Sequence, residues 1–237
     1  MSMKSIKNTL VLLLSLLLVS SSFSQITKKI QLVDFKTLSL EGASNFTLFQ
    51  SDKNMLEVII DDEEVMDYIE ITNSNQWLVI NTTSKNKNIS KICSKLNFKI
   101  YFKNIEDISF DGVGRLTCWN QLNTKSLKVV LKGTGNVDLD VYCVDFEGSM
   151  KGTGLLTVKG ETTNAELFVA GVGGLESAHL KAQNTNITLN GVGYAEVYAS
   201  KSLKAKLNGL GNIKYAGDPI DKNFTKNGLG SIKKLEN

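Results

Sequence analysis

A Gly-x-Gly step recurs seven times along the second half of the chain, and it limits the fold more than any other feature. Its glycines are Gly112 and Gly114, Gly133 and Gly135, Gly152 and Gly154, Gly171 and Gly173, Gly191 and Gly193, Gly209 and Gly211, and Gly228 and Gly230. Successive first glycines are 21, 19, 19, 20, 18 and 19 residues apart. A period of about 20 residues over this many units is the mark of a solenoid, because one short unit cannot bury its own apolar face and must stack on its neighbours to do so.

Aligned on the first glycine, the units separate into two faces, as strand side chains must. Four residues after the glycine stand Leu116, Val137, Leu156, Leu175, Ala195, Ile213 and Ile232, an apolar column without exception. The next position reads Thr117, Asp138, Thr157, Glu176, Glu196, Lys214 and Lys233 and is outward. Two residues before the glycine the column is apolar from Phe110 to Leu207 and ends on Lys226; four before it, Gly148 interrupts an otherwise apolar set. Both glycines fall on the inward register. The reading is a structural corner, where a side chain has little room and Gly tolerates positive φ. A phosphate cradle would need a third glycine and a following helix, whereas strand-like alternation follows every step. The stretch 133–140 resembles a calcium-binding β-roll nonapeptide, but its aspartate does not recur in the other units.

Residues 1–24 place Lys4 and Lys7 ahead of an apolar run at 10–19 and end in Ser22, Phe23 and Ser24, which is the pattern of a secretory leader cleaved after Ser24. The run is too short for a membrane span of about 20 residues, and no later segment reads as one. Export to the periplasm, the outer cell surface or the medium is expected. The formal charge of +3 is dispersed, with no basic patch interleaved with aromatics, which argues against a nucleic-acid partner. Cys93, Cys118 and Cys143 show no metal-ligand spacing. Cys118 occupies the inward column of Leu139 and Val158 and reads as a small core residue, and the spacing leaves a Cys118–Cys143 disulfide open. No metal or cofactor is expected.

Before the regular units, Leu38, Leu40, Gly42, Ser44, Phe46 and Leu48 form a degenerate copy, with Ser44 in place of the second glycine. Strands are expected at 55–60, 77–81 and 96–102, a short helix or strand edge at 61–71, where an acidic run at 61–64 leads into 65–71, and a charged surface loop at 84–91. The organisation read from the sequence is a leader at 1–24, a capping region at 25–107 and regular coils at 108–237, the last two forming one domain.

The run Phe35-Lys36-Thr37-Leu38-Ser39-Leu40-Glu41-Gly42, the Gly-x-Gly coils and the closing Gly228-Leu229-Gly230-Ser231-Ile232 together resemble the auto-transporter adhesin head, or GIN, domain family. The resemblance covers nearly all of the chain after the leader. It implies a right-handed parallel β-helix exported by Bacteroidetes-type bacteria, and it brings no catalytic or binding residues with it.

The function expected is a non-catalytic binding or adhesion-like module, with a surface glycan or an envelope protein as partner. Trp119, Phe168, Tyr194 and Tyr198 are the outward aromatics that could stack on sugars, and Glu176 and Glu196 are the like-charged neighbours on the same outer face. Two alternatives stay open. One is a polysaccharide lyase or hydrolase, which needs paired ionisable groups; here the carboxylate column continues as Lys214 and Lys233, favouring a charge ladder over a catalytic dyad. The other is an envelope assembly protein, in which Asn190, Asn208 and Asn227 form an amide ladder.

Overall fold

The computed structural model describes residues 25–83 and 96–236. The expected leader at 1–24, the expected loop at 84–91 and Cys93 lie outside the described residues. Beyond the first glycine step the chain is a parallel β-solenoid. Thr134–Met150 pairs in parallel with Thr153–Val169, from Thr134 opposite Thr153 to Met150 opposite Val169. The later coils continue through Val172–Glu176 and Leu180–Leu189, Val192–Tyr198 and Ser202–Leu207, Leu210–Ala216 and Asp221–Lys226, and finally Leu229–Lys234. Every pairing between these coils is parallel.

The register stacks like on like. Leu156 lies opposite Leu175, Leu175 opposite Ala195, and Ala195 opposite Ile213, all fully buried. The residues that follow them, Thr157, Glu176, Glu196 and Lys214, face outward, so period-2 alternation in each coil becomes one continuous core along the axis.

The glycines set how closely the coils meet. A Cβ on Gly171 would lie 1.8 Å from the carbonyl oxygen of Gly152, and one on Gly193 would lie 1.8 Å from that of Gly173. At both positions the obstruction is the backbone of the preceding coil. The two glycines of a step also differ. Gly193, with φ of 151°, needs a backbone conformation that L side chains rarely adopt, whereas Gly191 at the same corner shows no such φ and is required by space alone.

Both exceptions in the inward columns have physical causes. At Gly148 the Phe146 ring fills the space a side chain would take, its edge carbon 2.8 Å from the position of an added Cβ. Lys226 belongs to the last described coil, where no further rung covers it, and its ammonium donates to the Gly230 carbonyl at 3.0 Å.

The N-terminal region departs from the coil pattern. Phe35–Gln50 is the degenerate coil and pairs in parallel with Asp107–Cys118, bringing Gly42 opposite Gly112 and Ser44 opposite Gly114. On its other side lie Gln76–Asn81 and Asn97–Phe102. Ile26–Gln31, Met55–Ile60 and Glu70–Ser74 then join antiparallel. Residues Glu63–Tyr68 form a 3-10 helix, with Asp62 as its N-cap accepting from the Glu64 amide, so the stretch read as helix or strand edge is a helix followed by the strand Glu70–Ser74. Phe46 stacks on Phe98 with centroids 5.0 Å apart and meets Phe110 edge-on at 5.9 Å, which knits this region to the first regular coil.

Truncating the core column should be far more costly than truncating its outward neighbour. Chemical denaturation of Leu175→Ala is expected to show a loss of about 2–5 kcal/mol, against about 1 kcal/mol or less for Glu176→Ala. Equal losses would contradict the register.

Candidate functional site

The first interval between glycine steps is 21 residues, the longest of the six, and the structure shows where its extra residues go. Thr117 pairs with Asp138, an offset of 21, while Leu122 pairs with Val141, an offset of 19. Two surplus residues therefore leave the ladder between Cys118 and Leu122 as a bulge, and the bulge carries Trp119 out to 77% exposure. Its base is fixed. The Trp119 amide donates to Leu48 O at 2.8 Å, and Asn120 and Gln50 exchange hydrogen bonds at 3.0 and 3.1 Å. The Gln50 side chain accepts from the Asn123 amide at 2.6 Å and donates to the Asn123 carbonyl at 2.9 Å.

Beneath the indole lies an aromatic column. Trp119 stacks on Phe49 at 5.8 Å with planes 25° apart, and Phe49 stacks on Tyr101 at 4.7 Å and 19°. Lys53 Nζ sits 5.0 Å from the centre of the Tyr101 ring. On the other side of Trp119 the next coils present Asp138, Asp140 and Lys159 around a shallow depression that includes Gln121. Gln121 Nε2 donates to Asp140 Oδ1 at 2.9 Å, and Lys159 Nζ lies 3.9 Å from Asp140 Oδ2. The Asp140 amide donates to Cys118 Sγ at 3.0 Å, and burial pushes the Cys118 thiol above its ordinary pKa. Cys143 is also raised by burial, with its thiol against Thr162 Oγ1 at 3.5 Å. Both thiols are free, so the disulfide left open by the sequence is absent.

The candidate residues fall into separate groups. Glu176 and Glu196 are opposite each other on adjacent coils, and each has its own partner. Tyr194 donates to Glu176 Oε1 at 2.6 Å, Thr157 donates to Glu176 Oε2 at 3.5 Å, and Lys214 donates to Glu196 at 3.3 Å. The Tyr194 ring lies over Gly174 of the preceding coil, where an added Cβ would sit 2.5 Å from its Cζ. Tyr198, on the same face as Tyr194 and Glu196, receives Lys181 Nζ at 4.2 Å from its ring centre. Phe168 is apart from all of these: it lies on the strand segment preceding a glycine step, between Ser149 and Thr188, and is half-buried. The amide ladder is formed, Asn208 donating to Asn190 at 2.7 Å and Asn227 to Asn208 at 3.1 Å. A second runs from Asn184 to Asn164 to Asp145 at 3.0 and 2.8 Å. His179 is exposed in a turn. Among the described residues no three His, Cys, Asp or Glu side chains gather as a metal site, and no helix is long and apolar enough to cross a membrane.

Sequence reasoning missed Phe49 and Tyr101. Phe49 had a signal, since it follows Gly42 by seven residues as Trp119 follows Gly112; Tyr101 lies on a strand with no glycine step to align.

The family model described as "Putative auto-transporter adhesin, head GIN domain" matches residues 34–219. The chain belongs to this family. Its fold is shared by a putative adhesin from Bacteroides fragilis, with a TM-score of 0.84 at 27% identity over 90% of this chain and 97% of that one. A putative lipid binding protein from Parabacteroides distasonis aligns over the same shares with a TM-score of 0.68 at 23% identity. A putative adhesin from Parabacteroides merdae does so with a TM-score of 0.63 at 20% identity. No curated protein matches the sequence.

The short Tyr194–Glu176 bond has a measurable consequence. The hydrogen bond to Glu176, which only the protonated phenol can donate, together with burial and the repulsion a phenolate would feel from the carboxylate, pushes the Tyr194 pKa from 10.0 up to about 12. A raised folded-state value favours the protonated form, so this bond's contribution to stability is complete below pH 10 and is lost as the pH climbs toward 12. In an ultraviolet difference titration Glu176→Gln should return one late-titrating tyrosine toward 10; an unchanged profile would contradict the assignment.

Proposed function

We propose that this GIN-domain chain is an exported, non-catalytic adhesion module that holds a surface glycan against Trp119. The observation that carries the reading is the bulge: two residues beyond the coil period project an indole outward and anchor it through Gln50. A pyranose presents an apolar C–H face that packs on an indole, and a ring of hydroxyls that needs donors and acceptors at its edge. Trp119 offers the first, and Gln121, Asp138 and Asp140 offer the second beside it. The Phe49 and Tyr101 stack holds the indole plane in place before the ligand arrives, which lowers the ordering cost of binding.

The family and the B. fragilis adhesin of the same fold support adhesion. The leader pattern at 1–24 supports export. The partners of Glu176 and Glu196 support a role as rungs of a charge ladder rather than as an acid and base pair. Glycan-array binding by the chain from Gln25, compared with Trp119→Ala, tests the proposal. Binding that falls about tenfold or more in the variant is expected for a central aromatic anchor. Glycan binding indifferent to Trp119, or release of sugars from polysaccharide that disappears in Glu176→Gln/Glu196→Gln, would overturn it.

A further inference from the structure

The two ends of the stack are built differently. In the last described coil three core columns change character together. Leu203 gives way to Lys222, Leu207 to Lys226, and Tyr215 to Lys234 in directly paired positions. Lys in an edge strand blocks addition of another strand, and this accounts for part of the pattern. It does not account for the apolar side chains left uncovered on the same coil. Ile220 is 86% exposed, Phe224, packed on Tyr215 at 5.5 Å, is still 41% exposed, and Leu229 at 73% stands further out than Leu210 at 49%, its partner in the same outward column.

Charge is concentrated at this end as well. Residues 201–237 carry eight lysines against three carboxylate side chains, whereas residues 25–200 carry 17 Lys and Arg against 21 Asp and Glu. Two of the eight are engaged by carboxylates, Lys234 by Asp218 and Lys214 by Glu196. Because a coil is one rung of the stack, its residues share a level along the axis to within roughly the 4.8 Å strand spacing. Ile220, Phe224 and Leu229 therefore lie in one layer with Lys222, Lys226 and Lys233. A single layer of aliphatic and aromatic side chains among ammonium groups matches a surface that is planar, anionic at its face and apolar just beneath.

We infer that the C-terminal end of the stack is a docking face for an anionic phospholipid surface, with Ile220 and Leu229 entering the headgroup layer and the lysines facing the phosphates. A second copy of this chain meeting the same end would bring lysines against lysines. A soluble polyanion would satisfy the lysines and leave the apolar corners unused.

Every strand and the whole buried core described lie within residues 25–236, and the chain from Gln25 carries all of them. It should sediment with vesicles of phosphatidylcholine containing phosphatidylglycerol, not with phosphatidylcholine alone, and salt should release it. Lys222→Glu/Lys233→Glu, which spares the Lys226 bond to the coil, should lower the bound fraction about tenfold. Ile220→Ser/Leu229→Ser should lower it as well, with unchanged circular dichroism, while Trp119→Ala should leave it unchanged. Absence of sedimentation with the anionic vesicles, or equal sedimentation with both kinds, would overturn the inference. So would heparin retention with vesicle binding indifferent to Ile220→Ser/Leu229→Ser, which would assign the face to a soluble polyanion.

Discussion

The contact between a glycine and the carbonyl of the coil beneath it is the constraint from which the rest of the structure follows. Where the chain turns its corner, the backbone of one coil lies so close to the next that no Cβ fits at either glycine of the step. That contact fixes the vertical register of every coil, because sliding a coil by one residue would place a side chain against a carbonyl. A fixed register turns alternation within a strand into columns along the stack, and the columns then do the work of a fold: Leu156, Leu175, Ala195 and Ile213 become one core, and Asn190, Asn208 and Asn227 become one hydrogen-bonded ladder.

Function in such a scaffold has to come from departures from the repeat, since every regular coil presents a similar surface. Two departures stand out. One is the bulge at Trp119, which exists because the first interval exceeds the others and which the Asn120 and Gln50 hydrogen bonds hold in shape. The other is the last described coil, where inward positions turn to lysine while Ile220 and Phe224 remain exposed. They lie toward opposite ends of the stack, so an extended domain could hold a ligand on its side while its end rests on a surface.

Much of this was legible in the sequence for a physical reason: strand alternation and coil period are local properties of the chain, and a parallel stack repeats them without crossing over. The apolar column from Leu116 to Ile213 could be read directly. The exceptions could be seen but not explained, because the cause of Gly148 is a ring from its own strand, Phe146, and the cause of Lys226 is its place at the end of the stack. The N-terminal region was less legible. Its strands showed as alternation, but their antiparallel partners are set by contacts distant in sequence, such as Met55–Ile60 against Asn97–Phe102. The candidate site shows the same division. Trp119 and the 21-residue interval were both visible, yet the platform under the indole depends on Phe49 and Tyr101 meeting from strands roughly fifty residues apart, which no local pattern encodes.

The central claim is that backbone contact at the glycine steps, and not only apolar burial, holds the coils in register. The equilibrium stability of Gly193→Ala beside Val192→Ala tests it most directly. An added methyl at Gly193 would meet the Gly173 carbonyl at 1.8 Å on a backbone with φ of 151°, while Val192 next to it points outward. The account predicts that Gly193→Ala loses at least about 3 kcal/mol or fails to fold, and that Val192→Ala changes stability by about 0.5 kcal/mol or less. A near-neutral Gly193→Ala would contradict it.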